Sequence, residues 1–250
     1  MEGKIIAVWG SPNSGKTTFS VKLASAIYSC FDTTVIVLHC DMETPVIPVL
    51  FPNEKSENIG SVGKVLTKPE AEQRDIIENL VTVKEMQNFG FLGYKDGENK
   101  FTYPKYGRAK AEELLSELCK LAGYVIIDCT SNLENNVLAS VALEKSEQII
   151  RLASPDLKSI SFYLSQLAVY SDPKYKLESH IQGVNTPNAD IFMPIEEAKR
   201  NLGEVSFTVP FCKDVKEQMM EGKIWTKTND KKFELRMKEI AEKVVTYGTD

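Results

Sequence analysis

The sequence predicts a three-layer α/β fold, a doubly wound and mostly parallel sheet with helices on both faces. Three observations carry that expectation. Apolar runs rich in Val and Ile alternate with stretches of helical periodicity through most of the chain. The first run passes at once into a glycine-containing turn that opens onto a helical pattern. The 250 residues also contain no internal repeat, low-complexity tract or linker, so 1–250 reads as one domain with a large core.

The first strand is Lys4 to Trp9. Its helix runs from Gly15 to about Ser29, with Phe19, Val21, Leu23, Ala24 and Ile27 on the buried face. A second strand, Thr34 to Leu38, ends at His39-Cys40-Asp41. Residues 42–67 have no clear period, and Pro45, Pro48 and Pro52 oppose long regular structure in the first half of that stretch. Lys68 to Leu80 reads as a helix, Phe89 to Leu92 as a short strand and Lys95 to Glu98 as a turn. Arg108 to Leu121 is amphipathic, with Leu114, Leu115, Leu118 and Leu121 at helical spacing, and it feeds the buried strand Tyr124 to Asp128. Helix 135–143, strand 147–152, helix 156–170, strands 180–184 and 204–208, and helices 214–221 and 230–245 complete the expected order.

Between the first strand and its helix stands Gly10-Ser11-Pro12-Asn13-Ser14-Gly15-Lys16-Thr17, which satisfies GxxxxGK[ST]. In such a phosphate-binding loop the backbone N–H groups point inward at phosphate oxygens. Lys16 reaches the β- and γ-phosphates, and the Thr17 hydroxyl ligates Mg²⁺. The helix behind the loop adds the positive end of its dipole. Gly10, Ser11, Pro12, Asn13, Ser14, Gly15, Lys16, Thr17 and Thr18 are therefore the candidate phosphate-binding residues.

Ligands of parallel α/β sheets sit at the carboxyl ends of strands. Two acids end strands here, Asp41 and Asp128. An acid beside a phosphate loop can hold Mg²⁺ or orient an attacking water. Each is also an ordinary turn residue, and it is the loop that favours the functional reading.

Composition excludes several other classes. The net charge of −5 argues against a generally basic nucleic-acid surface. The five cysteines, Cys30, Cys40, Cys119, Cys129 and Cys212, form no CxxC pair, so reduced thiols are expected rather than a disulfide framework. His39 and His180 are too few and too isolated for a zinc site. No apolar stretch approaches ~18 residues, no signal peptide is visible, and a cytoplasmic location is expected.

Taken in order, Gly10 to Thr18, Val35 to Asp41, Val125 to Asp128, Gly183-Val184-Asn185 and Val209-Pro210-Phe211 resemble the ParA/MinD group of P-loop ATPases over nearly the whole chain. The resemblance implies ATP and Mg²⁺ as ligands. It makes Asp41 the aspartate that positions the hydrolytic water and Asp128 the acid near Mg²⁺. It also makes Asn185 the asparagine that reads adenine, with Pro210 and Phe211 packed near the base. Members of the group dimerise face to face around ATP and act as positional switches on DNA or membrane.

Three departures stand out. The group's KGGxGK[ST] loop carries an extra lysine that reaches the partner's nucleotide, and Ser11 occupies that position, with Pro12 and Asn13 in place of the two glycines. His39 stands where the group often has a first acid. Cys129-Thr130-Ser131-Asn132 replaces a segment with a proline and a switch glycine. Ras-type guanine recognition would need Asn-Lys-x-Asp, whereas Val184 is followed by Asn185-Thr186-Pro187, so ATP is the expected nucleotide.

The final helix has Phe233, Met237, Ile240, Ala241 and Val244 on one stripe and mixed charges elsewhere, which favours docking onto the sheet over membrane binding. Lys105, Arg108 and Lys110 form a small basic cluster, and Met219, Met220 and Trp225 offer either a partner surface or core. The expected function is a slowly hydrolysing, nucleotide-dependent dimerisation switch with an unknown protein partner. A non-hydrolysing scaffold is the alternative. A P-loop kinase is a distant third, because Arg74, Arg108, Arg151, Arg200 and Arg236 are scattered rather than gathered in a lid.

Overall fold

In the computed structural model residues 3–190 and 193–247 are described. The chain runs β1 (Lys4–Gly10), α1 (Lys16–Phe31), β2 (Val35–His39), α2 (Ile47–Leu50), α3 (Val62–Leu66), α4 (Gln73–Asn79), β3 (Val81–Val83), β4 (Met86–Leu92) and α5 (Arg108–Leu121). It continues with β5 (Tyr124–Asp128), α6 (Val137–Lys145), β6 (Gln148–Ala153), α7 (Leu157–Gln166), β7 (Ile181–Asn185), α8 (Ile195–Leu202), β8 (Phe207–Val209), α9 (Lys213–Met220) and α10 (Lys231–Thr246). The strands form one eight-stranded sheet in the order β3-β4-β2-β5-β1-β6-β7-β8. Every neighbouring pair is parallel except β3 with β4.

β1 lies between β5 and β6, with β2 beyond β5. The chain leaves β1 to one side and later returns to the other, so the strand order reverses at β1. That reversal opens a crevice at the strand's carboxyl end, where the phosphate loop begins. Alternation along β1 divides the core in two. Ile5, Ala7 and Trp9 pack with α5 and α6 side chains such as Leu114, Leu118 and Leu138. Ile6 and Val8 pack on the opposite face with Phe19, Leu23 and Ile27 of α1 and with α10.

The stripe on α10 is spent inside the molecule: Phe233, Met237, Ile240, Ala241 and Val244 are all buried. Its polar side completes the edge of the sheet. Arg236 Nε donates to Thr208 O at 2.9 Å and Lys243 Nζ donates to Ser206 O at 3.0 Å, covering carbonyls that flank or lie in the edge strand β8. This is the docking arrangement expected of the last helix. Among the described residues no helix is long and apolar enough to cross a membrane.

Several boundaries differ from expectation. The helix expected over 68–80 starts only at Gln73, because Glu72 and Asp75 form a capping box there. The helix expected to reach Tyr170 stops at Gln166, and a 3-10 turn covers Val169–Ser171. The strand expected over 204–208 is Phe207–Val209. Elements that were not expected include the short helices α2 and α3, inside the stretch without a clear period, and also β3 and α8. β3 is a three-residue edge strand, too short for a period to show. α8 is eight residues long and mostly polar, with its apolar side reduced to Ile195, Ala198 and Leu202.

Candidate functional site

β1 ends at Gly10, whose φ of 148° and contact with β6 leave no space for a side chain: a Cβ there would lie 1.9 Å from Leu152 O. The loop then turns through Asn13 at φ 61° and Gly15 at φ 80°. A Cβ on Gly15 would lie 2.4 Å from Asn185 Nδ2, so this glycine allows β7 to close on the loop. Ser14 Oγ donates to Ser11 O at 2.8 Å and rigidifies the turn. The N-terminus of α1 has no side-chain cap and no acid in its first turn. Its positive end is left for an anion in the loop.

Lys16 lies folded across this loop. Its Nζ donates to Ser11 O at 3.0 Å and to Ser131 Oγ at 2.7 Å. Burial lowers its pKa, while the nearby negative charges of Asp128 and Asp41 pull the other way. One residue on, Thr17 Oγ1 donates to Asp128 Oδ2 at 2.7 Å. Parallel pairing sets Asp128 beside Val8 on one side and His39 on the other. His39 Nδ1 lies 2.9 Å from the same Oδ2, and its ring stacks on Phe91 at a 7° interplanar angle. The His39 ring is fully buried, and among the described residues its Nε2 has no hydrogen-bond partner.

Asp41 follows β2 on the same side of the sheet. Its Oδ1 accepts from the Glu43 and Thr44 N–H groups at 2.8 and 3.0 Å, so this oxygen caps a turn. Asn136, the N-cap of α6, donates from Nδ2 to Cys40 O at 2.7 Å and ties the segment after β5 to the residue before Asp41.

A cleft of about 390 Å³ adjoins the loop on the β7–β8 side. Asn13, Gly15, Thr18, Asn185, Pro210 and Phe211 all line it, so the expected phosphate-loop and base-pocket residues share one wall. Asn185 Nδ2 donates to Ser14 O at 2.8 Å. Lys22, a turn further along α1, also borders the cleft. It donates to Gln218 Oε1 and Thr226 O, and burial lowers its pKa to about 8.

Ser11 is turned elsewhere. Its hydroxyl is buried against Ser159 Oγ of α7 at 2.5 Å, so within the loop it contributes its carbonyl, while its side chain faces the protein interior. The basic cluster is compensated: Arg108 pairs with Glu112 and Glu144, and Lys110 with Glu113. Half-buried Trp225 stacks on Phe51 against the core, Met219 and Met220 line the cleft, and Met220 is exposed. Ser131, His39 and Lys22 were not expected as site residues. The resemblance marks His39 only as a departure at an acid position; the register of β2 with β5 sets it on Asp128, and a one-turn step from Thr18 sets Lys22 at the cleft.

The arrangement suits Mg²⁺ with a nucleoside triphosphate. One carboxylate and one hydroxyl, Asp128 and Thr17, are bonded to each other at the mouth of an uncapped helix, a donor set that Mg²⁺ completes with water and substrate phosphates. Solved structures place the whole molecule. A ParA family ATPase from Chlorobium tepidum TLS superposes with a TM-score of 0.75 at 10% identity, covering 96% of this chain and 98% of its own. MinD in the MinC:MinD cell division complex of Aquifex aeolicus superposes at 0.76 and 13%, covering 98% and 97%. The septum site-determining protein MinD of Pyrococcus horikoshii OT3, complexed with Mg-ADP, superposes at 0.71 and 18%, covering 97% and 96%.

The chain has the ParA/MinD fold.

No family model matches the chain, and no curated protein matches it. The ParA/MinD fold shared with these ATPases accounts for the sheet order and for a phosphate loop at the switch point.

Proposed function

We propose that residues 1–250 form a single P-loop ATPase domain that binds Mg-ATP and uses it as a dimerisation and positioning switch. The observation that carries this reading is the adjacency of the loop and the cleft: Thr17 bonds to Asp128 beside Lys16, and the loop's Asn13 and Gly15 line one cleft with Asn185, Pro210 and Phe211. Lys16 holds the β- and γ-phosphates, Thr17 ligates Mg²⁺ and Asp128 supports the ion. Bound Mg²⁺ offsets phosphate charge. Asp41 orients water with the carboxylate oxygen left over from its turn, and Asn185 reads the base. The Mg-ADP complex of the Pyrococcus horikoshii MinD and the MinC complex of the Aquifex aeolicus MinD support nucleotide binding and a protein partner for this fold.

A second reading is favoured by Ser11. With its side chain locked to Ser159, the loop sends no cation toward a second protomer. A missing cationic finger can lower hydrolysis by several powers of ten, so a nucleotide-bound scaffold with negligible turnover is the alternative. One experiment separates the two: purified protein with Mg-ATP, with ADP release and oligomeric state measured together against a Lys16→Ala control. Turnover above the control with ATP-linked dimers supports the switch. Tight binding without turnover supports the scaffold, and no binding of ATP, ADP or GTP removes both.

A further inference from the structure

The segment between β5 and α6 lacks the glycine through which the ParA/MinD group is expected to sense the third phosphate, yet it holds the Lys16 ammonium directly. Ser131 Oγ accepts from Lys16 Nζ at 2.7 Å, while the same ammonium donates to Ser11 O of the phosphate loop. The lysine thus bridges the two segments. Ser131 is half-buried, and its hydroxyl serves only as acceptor in that bond, leaving its own proton undonated among the described residues. The neighbouring hydroxyl of Thr130 is committed to Asn132 O at 3.0 Å. Leu133 is buried in the core and Asn136 is tied to Cys40 O, so the segment is anchored behind Ser131.

We propose that Ser131 is the γ-phosphate sensor of this chain: its side-chain hydroxyl replaces a glycine N–H and, with Lys16, clamps the terminal phosphate of a bound nucleoside triphosphate. This rests on the nucleotide-binding reading above. An oxygen that takes the Lys16 ammonium away from Ser131 arrives beside a hydroxyl that has lost its donor and still has a proton to give. A diphosphate engages Lys16 through its β-phosphate but ends one phosphoryl group earlier and offers no oxygen to the Ser131 hydroxyl. Discrimination between the two nucleotides is therefore the property that Ser131 controls. Anchoring through Asn136 carries the rearrangement to the residue before Asp41.

The test is calorimetric titration of the full chain with Mg-ADP and with the non-hydrolysable Mg-AMPPNP, for wild type, Ser131→Ala and Ser131→Thr, each checked by thermal melting. A hydrogen bond to a charged oxygen makes the expected loss about tenfold in AMPPNP affinity for Ser131→Ala. ADP affinity stays within about twofold, and Ser131→Thr, which keeps the hydroxyl, retains the wild-type ratio. An unchanged AMPPNP-to-ADP ratio in Ser131→Ala, or an equal loss for both nucleotides, overturns the sensor and leaves nucleotide binding standing. Wild-type protein that takes up neither nucleotide overturns the nucleotide reading itself, and the sensor with it.

Discussion

Two polar clusters flank the carboxyl end of β1, and they are built on opposite plans. On the β5 side lie Lys16, Thr17, Asp128, His39 and Ser131. On the β6 side lie Ser11, Ser154, Ser159, Trp9, His180, Arg151 and Gln182. The second cluster is closed. His180 accepts from Trp9 Nε1 at 3.2 Å and donates to Tyr175 O at 2.7 Å. Gln182 donates to Arg151 O and Gly183 O and accepts from Arg151 Nε, and the guanidinium lies 4.1 Å from the Tyr163 ring centroid. The first cluster is open. Among the described residues His39 Nε2 is unpartnered, the Ser131 proton is undonated and α1 starts without a side-chain cap. Buried polar groups are nearly always satisfied, so the buried His39 Nε2 is the exception, and the half-buried Ser131 hydroxyl in the same cluster is spare capacity that a ligand site would use. Full satisfaction on the other side marks where the fold is held.

The largest expected effect breaks the open cluster. Lys16→Ala removes the ammonium while Ser14 Oγ still bonds to Ser11 O. Mg-ATP affinity should fall by about three orders of magnitude, near 4 kcal/mol, because contacts to two phosphates are lost. Since burial already penalises the charged lysine, the melting temperature of the ligand-free protein should not fall. Titration calorimetry and a thermal melt on the same sample check both halves. A variant that binds normally would mean that the open cluster is not a ligand site.

The next effect belongs to the closed cluster and is read in pH. Burial lowers the His180 pKa to about 4 from the ordinary 6.5. Between those values the unfolded chain takes up a proton that the folded ring refuses, so stability is fully present above about pH 6.5 and is lost as pH falls toward 4. The loss reaches about 3 kcal/mol at the acid end. Urea unfolding at pH 7, 5.5 and 4 should show this slope, and His180→Gln should flatten it. An equal slope in the variant would remove His180 from the account.

The legible and illegible parts of the sequence divide in the same way. The phosphate loop was readable because its geometry needs glycine at Gly10 and Gly15, and composition shows glycine directly. Strand Tyr124 to Asp128 and helix Arg108 to Leu121 were readable to the residue because the strand is an apolar run closed by an acid and the helix keeps its apolar spacing throughout. α8 was not, since its short stripe of Ile195, Ala198 and Leu202 stands in an otherwise polar sequence. Within the site, Asp128 was visible as a strand-ending acid, but His39 beside it depends on the register of β2 with β5, which no local pattern encodes. Asp41 was visible too, whereas its commitment of Oδ1 to Glu43 and Thr44 is a matter of loop path. The inward turn of Ser11 depends on a helix more than a hundred residues away.

The smallest effect sharpens the boundary between the clusters, because Ser11 belongs to the loop by its backbone and to the closed cluster by its side chain. Ser159 Oγ is the hub there: it takes the Ser154 N–H at 3.0 Å and lies 2.9 Å from Ser154 Oγ and 2.5 Å from Ser11 Oγ. All three serines are buried, so water does not replace what Ser159→Ala removes. The buried groups left unpaired should cost about 2 kcal/mol of stability, seen as a lower urea midpoint with an unchanged slope. Nucleotide affinity should stay within about twofold, because Ser11 still presents its carbonyl to Lys16 and Ser14, and because Gly10 and Gly15 fix the loop's path independently of that hydroxyl. A loss of affinity beyond tenfold would show that the α7 contact shapes the phosphate loop, and the two clusters would then be one site.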